Sequence, residues 1–198
     1  NLLPAVCGRV CPQETQCEGS CTVGDTLEPV AIGRLERWVG DLAIRERLSN
    51  VPYIQPSGFK VGIVGSGPAG MACAADMAKA GCEVTVFEAF HEPGGVLKYG
   101  IPDFRLPNKV VDAEIAKLEA LGIRFECNTL VGRLFTVEQM VEEMGFHAVF
   151  VGTGAPKGKE LELSGRRDTD RIHIGIAWLE SVAFEHIDRI GERVLIIG

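Results

Sequence analysis

KVGIVGSGPAGMACAADMAKAGCEVTVFEA, residues 60–89, decides the fold. Four apolar or small residues after Lys60 lead into a glycine turn. Small and apolar residues from Pro68 to Ala80 follow at helical spacing, and Glu83 to Phe87 forms a second apolar run. This is the outline of a strand–helix–strand unit with parallel strands. Within it Gly65-Ser66-Gly67-Pro68-Ala69-Gly70 has the GxGxxG pattern: Gly65 makes the tight turn, Gly67 lets backbone approach a pyrophosphate, and Gly70 permits close helix-to-strand packing. A glycine turn can also merely connect a strand to a helix. Here Glu88 follows Gly70 by eighteen residues at the end of the next strand, close to the ~20 expected of a carboxylate that bonds ribose hydroxyls. The stretch therefore reads as a dinucleotide site, and Glu88 disfavours a ribose 2'-phosphate there.

Downstream, residues 108–121 form an amphipathic helix through Val110, Val111, Ile115, Leu118 and Leu121, and a short strand follows at Ile123 to Cys127. A helix from Thr136 to Met144 precedes the apolar run HAVFVG. Lys157 to Arg171 is polar and loop-like, and Ile174 to Ile187 is helical. Alternating elements of these lengths predict an α/β fold with a doubly wound parallel sheet over residues 58–192. RVLIIG, residues 193–198, reads as the first strand of a truncated NAD(P)H-binding domain, and with Asn1 at the start the chain reads as an excerpt.

Upstream, SNVPYIQPSG (residues 49–58) reads as a linker that sets off a small helical domain over residues 1–52. Ile32, Leu35, Val39 and Leu42 recur at helical spacing, with Trp38 on the same side, whereas residues 1–27 read as a loop wrapped around something. That loop holds CGRVCPQETQCEGSC, four of the seven cysteines in fifteen residues: Cys7, Cys11, Cys17 and Cys21. Four thiolates suit zinc or an iron–sulfur cluster. Zinc sites more often pair CxxC knuckles, which are absent here, and Pro12 after Cys11 matches the Cys-Pro ending of ferredoxin-type runs. Spacing favours iron–sulfur over zinc.

Composition bounds the rest. Across 198 residues, 46% hydrophobic and 24% charged, the chain can bury a full core, and a net charge of -7 excludes the basic face that nucleic acid or a membrane surface would need. The longest apolar stretch, Val61 to Ala78, is interrupted by Gly65, Gly67, Pro68 and Gly70, so no membrane insertion is expected. An odd cysteine count without a leader argues against a secreted disulfide framework and for a cytoplasmic setting. Cys73, Cys82 and Cys127 lie in apolar surroundings and read as structural thiols. His91, His147, His173 and His186 show no ligand spacing. Tyr99 and Phe104 read as packing or cofactor-edge groups.

The motifs CGRVCP, IGRLE, GSGPAG, EPGGVLKYGIPDFRLP and VGTGA together resemble the FAD and iron–sulfur NAD(P)H oxidoreductase family. That family includes the glutamate synthase small subunit, the N-terminal half of dihydropyrimidine dehydrogenase and the large subunit of NADH-dependent ferredoxin:NADP oxidoreductase. The resemblance spans nearly all of residues 5–155. It implies that the dinucleotide is FAD, lined by Gly65, Ser66, Gly67, Pro68, Ala69, Glu88, Gly95, Val96, Arg105 and Leu130, with Thr153 and Gly154 near it. It also implies two 4Fe-4S clusters, each held only in part by this chain. Cys11 and Cys17 would serve one with Glu36 as a fourth ligand, and Cys21 the other, while Cys7 matches a non-ligand position. A single cluster on Cys7, Cys11, Cys17 and Cys21 is the fallback.

The implied role is a relay between NAD(P)H, FAD and 4Fe-4S clusters, to or from a partner subunit or ferredoxin. No redox cysteine pair occurs in GGVLKYGIPDFRLP, unlike glutathione-reductase-like flavoproteins, so electrons would leave by another route. Gly33 and Gly40 share a helical face with Glu36, and each interior glycine costs about 0.5–1 kcal/mol relative to alanine, so something bulky is expected to approach that face. The plainer alternatives are a solvated Glu36 paired with Arg34 or Arg37, a surface ion pair for Arg105, and, for the whole chain, a zinc-stapled interaction module on an FAD-binding scaffold. After GTGA the family usually continues with a Pro-Gly-Glu-type loop, and KGKELELSGRRDTDR departs from it.

Overall fold

The computed structural model describes residues 2–48, 53–160, 162, 164–166 and 168–197. Four parallel strands form its sheet in the order β3-β2-β1-β4: β1 (Lys60–Val64), β2 (Glu83–Phe87), β3 (Arg124–Glu126) and β4 (Ala148–Val151). The last four residues of β1 and of β2 are buried, which is why these strands read as unbroken apolar runs rather than alternating ones. Strand order reverses at β1, between β2 and β4, so the carboxyl end of β1 lies at the switch point where open α/β sheets bind ligands.

Helices α3 (Pro68–Lys79) and α5 (Asn108–Ala120) bury one side of the sheet through Met71, Ala74, Ala75, Val111, Ile115 and Leu118. A smaller cluster of Val64, Phe87, Met140 and Phe146 includes α6 (Val137–Glu142), whose N-terminus carries a reciprocal capping box between Thr136 and Gln139. A short helix α4 (Val96–Tyr99), not anticipated from sequence, precedes α5, and α7 (Gly175–Ala183) packs on it through a Tyr99–Phe184 ring stack with centroids 5.0 Å apart. Tyr99 packs as expected, but Phe104 is 90% exposed.

Three expectations are corrected. Residues 4–10 are not loop: they form helix α1 (Pro4–Val10), too short to display a period, followed by two 3-10 turns. Leu3, Ala5 and Val6 join the same hydrophobic core as Val61, Val111 and Leu118. The linker residues 49–52 lie outside the described residues.

The second correction concerns α2 (Ile32–Arg45). Its apolar row is not the face it buries. Gly33 and Gly40 are its buried residues, whereas Ile32, Leu35, Trp38 and Val39 are exposed. Helix α1 crosses at Gly40, where a Cβ would sit 2.6 Å from the Ala5 nitrogen, and a Cβ on Gly8 would strike the Arg37 backbone, while Gly33 meets the Gln13 side chain. The Arg9 guanidinium holds the pair together by donating to both oxygens of Asp41, at 2.7 and 3.0 Å. What approaches Gly33 and Gly40 is therefore the chain itself.

Third, residues 193–197 form no strand. A strand exists only through a ladder partner, and these residues find none among the described residues, leaving Leu195 and Ile196 about 85% exposed.

Candidate functional site

At the carboxyl end of β1 three loops converge. Gly65 turns with φ of +98°, in the region that favours glycine, and a Cβ there would lie 2.6 Å from the Gly152 carbonyl oxygen and 3.2 Å from the Thr153 Cα. The Gly152 N–H donates to the Val64 carbonyl at 2.8 Å, tying the VGTGA loop to the strand end. From the other side Gly95, with φ of +53°, approaches so closely that its Cβ would sit 2.8 Å from the Gly67 Cα. A Cβ on Gly70 would run into the Gly65 carbonyl, which fixes this glycine for helix packing. Gly67 differs from all of these. A Cβ on it meets nothing within 4 Å, so the space in front of the turn is open.

Helix α3 begins there with Pro68 in its first turn and no side-chain cap, leaving its first N–H groups and its positive dipole end for an anion. An open cradle at an uncapped helix N-terminus fits a pyrophosphate.

Ser66 and Glu88 build the floor. Both are buried, at 0% and 6% exposure. The Ser66 N–H donates to Glu88 Oε2 at 2.9 Å, and the Ser66 hydroxyl donates to the same oxygen. Glu88 Oε1 accepts from the Phe90 N–H at 3.0 Å, and the Gly94 N–H donates to Ser66 Oγ at 2.9 Å. A carboxylate offers about four lone-pair directions, and these contacts take three, which leaves capacity for a ribose hydroxyl. Leu130 is brought to the edge by the Thr129 N–H, which donates to the Glu88 carbonyl at 2.8 Å. Thr153 and Gly154 are exposed beside the turn, and Val96 is half exposed. Arg105 is exposed, has no ion pair among the described residues, and is not bonded to the loops.

Sequence reading missed Lys98. It is 8% exposed, and its Nζ lies 2.7 Å from Glu92 and 2.5 Å from Asp112, clamping the loop before Gly94 onto α5. Burial pulls the ammonium pKa down, but the two carboxylates outweigh it and hold the value above the usual lysine range. Its place between buried Leu97 and Tyr99 was the available signal.

At the cysteine loop, Cys7, Cys11 and Cys21 are partly buried and Cys17 is exposed. The Cys7 thiol is pushed up by burial, then by the charges of Glu36, Cys11 and Glu114. The Cys21 thiol is shifted down because backbone N–H groups, Val30 first, stabilise its thiolate, the form that binds metal. Among the described residues no three Cys, His, Asp or Glu side chains converge on a point that could hold a metal ion. Neither the four-thiol set nor the Cys11, Cys17 and Glu36 set is therefore preassembled. Glu36 is half-buried, has no salt bridge to Arg34 or Arg37 among the described residues, and borders an apolar groove with Pro4, Ile32, Leu35 and Val39. Cys73 and Cys127 are partly buried, and burial raises both thiols, as inert structural cysteines require. No helix among the described residues is long and apolar enough to cross a membrane.

Residues 1–48 match the family described as dihydropyrimidine dehydrogenase domain II, 4Fe-4S cluster, and residues 63–114 match the NAD(P)-binding Rossmann-like domain family. The whole chain aligns with the NAD-dependent dihydropyrimidine dehydrogenase subunit PreT of Escherichia coli K12 at 39% identity. It aligns with the glutamate synthase [NADPH] small chain of Halomonas elongata at 35%. The chain is a homologue of these oxidoreductase subunits. It spans about half the length of the relatives it matches, 47% and 44% respectively.

Among solved structures, Mycobacterium tuberculosis FprA in complex with NADPH superposes with a TM-score of 0.55 at 23% identity, over 64% of this chain and 29% of that one. A 2-naphthoyl-CoA reductase complex gives 0.52 at 24%, over 69% and 20%. These two likenesses show the fold alone, an α/β Rossmann-like domain with a parallel sheet.

Proposed function

We propose that this chain is the cluster- and flavin-bearing part of an NAD(P)H oxidoreductase subunit that relays electrons to or from a partner subunit or ferredoxin. The observation that carries the reading is the convergence of three glycine loops, at Gly65–Gly67, Gly94–Gly95 and Gly152–Thr153, around an open cradle floored by Ser66 and Glu88. FAD is the dinucleotide proposed. The backbone from Gly65 to Ala69 faces its pyrophosphate and Glu88 its ribose. Gly95, Val96, Leu130, Thr153 and Gly154 line it, and Arg105 is the cation for its anionic groups. Cys11, Cys17, Cys21 and Glu36 are the proposed cluster ligands, completed by groups outside residues 1–198. When bound, the flavin takes electrons in pairs and the clusters pass them singly. The chain's own task is to hold these groups at fixed separation and to shape their surroundings.

Both relatives are named for a nicotinamide nucleotide, NAD in one and NADPH in the other. The proposed donor is accordingly NAD(P)H. The test is a visible spectrum of the full-length protein purified anaerobically, with flavin, iron and zinc analysis. Flavin with iron and a broad absorbance that bleaches with dithionite supports the relay. Flavin with zinc and no iron would replace it with the zinc-stapled module.

A further inference from the structure

Helix α1 carries Cys7 and leads to Cys11, and its N-terminus has no cap of its own. Leu3, at the cap position, supplies no side-chain hydrogen bond. The Ala5 N–H, one of the donors that a helix start leaves unpaired, is instead directed at Glu114 Oε1, 3.4 Å away and 109 positions along the chain. Glu114 lies on α5, and it is on the wrong face for a charge. It falls four residues after Val110 and four before Leu118, in the row of α5 that faces the core, and is 3% exposed. Its other oxygen accepts from Lys117 Nζ at 3.0 Å.

A buried carboxylate is costly unless paired, and an apolar residue of similar size would fill such a position at least as stably. What the carboxylate supplies that an apolar residue does not is a fixed register. One oxygen is held by α1 and the other by α5's own lysine. Helix α5 begins directly after the Gly95-to-Leu106 segment at the proposed flavin site, and Lys98 and Asp112 join that segment to it. Glu114 therefore stands between the helix that presents Cys7 and Cys11 and the helix that anchors the flavin loop.

We propose that Glu114 is a positioning residue for electron transfer between the cluster region and the flavin, acting by docking the uncapped N-terminus of α1 onto α5. This rests on the relay reading above. Its first measurement, however, does not depend on that reading.

The full-length holoprotein is compared with Glu114→Gln, Glu114→Asp and Glu114→Ala. Glutamine keeps an acceptor at the same reach. Aspartate keeps the charge but withdraws it by one methylene, and alanine removes both. Hydrogen exchange at the α1 amides reads the docking, and stopped-flow oxidation of the reduced flavin by the clusters reads the transfer. Flavin and iron contents are measured in every sample.

The expected result is faster α1 exchange in the Asp and Ala variants, and a transfer rate lowered roughly tenfold at full cofactor content, in keeping with the sensitivity of rates to displacements of about 1 Å. The Gln variant should remain within about twofold of the parent, since its acceptor is retained. Should alanine prevent folding, the aspartate variant carries the test. Unchanged exchange and transfer in the Asp variant, or a Gln variant as slow as Asp, would overturn the proposal. Absence of flavin or iron from the parent protein would instead defeat the relay reading, and exchange at α1 would still decide whether Glu114 docks it.

Discussion

Ser66 and Glu88 are joined by two hydrogen bonds to a single carboxylate oxygen, one from the Ser66 backbone and one from its hydroxyl. The acidic residue at the end of β2 thus holds the glycine turn in shape before any ribose reaches it. The Gly94 N–H donates in turn to the same hydroxyl, so one serine couples two of the three loops of the cradle.

Replacing Ser66 with alanine should therefore loosen both loops. The Gly94 N–H would lose its acceptor in a buried place, at a cost of about 1–3 kcal/mol. Thermal unfolding should report that loss, and flavin titration should show weaker binding even though Ser66 leaves the backbone donors of the turn intact.

Gly67 and Gly70 should separate binding from folding. Gly67→Val points into open space and lies at a backbone conformation accessible to other residues, so the protein should fold but retain little flavin after gel filtration. Gly70→Ala meets the Gly65 carbonyl and should destabilise by about 1–3 kcal/mol, as overpacking does. Stoichiometric flavin in the Gly67 variant would reject the phosphate-loop assignment.

How far the sequence could show these features depends on which residues carry the signal. The buried runs of β1 and β2 were legible because burial on both faces leaves no polar interruption. Helix α2 misled, because periodicity counts side chains and the face it buries is made of Gly33 and Gly40, which have none. The glycine cradle was legible as glycines at fixed offsets. The coupling through Ser66 was not, since a serine in a turn has many partners open to it. Glu114 left one trace, a charge in the apolar row of α5, but its partner lies 109 residues away and no local pattern points there.

Glu36→Ala should alter or remove one cluster signal in electron paramagnetic resonance while leaving flavin content unchanged, because Glu36 lies in the groove beside Pro4 of α1, where its charge acts on the Cys7 thiol, and not at the cradle. Parental cluster signals would return Glu36 to an ordinary surface glutamate.

The clamp at Lys98 predicts a pH response. The Glu92 carboxyl lies below its usual range because Lys98 donates a hydrogen bond to it and adds its charge. A carboxylate lowered on folding contributes stability that is complete above its unfolded value, about 4.3, and fades as pH falls through the lower folded value. Glu92→Gln should therefore flatten part of the acid limb of the stability profile and leave the profile above about pH 6 nearly parallel to the parent's. Glu92 is largely exposed, so the effect should be small. Urea unfolding at a series of pH values measures it.

Because Leu3, Ala5 and Val6 complete a core whose other half includes Val111, Ile115 and Leu118, α1 reaches its final place only once α5, more than a hundred residues further along the chain, has been made. Before that α1 has α2 to pack on, where Gly40 lies against Ala5 and Asp41 holds Arg9, and closing so long a loop delays the contact with α5. The α1–α2 pair that carries Cys7 is thus complete within the first 45 residues of this chain, and its final positioning waits for α5.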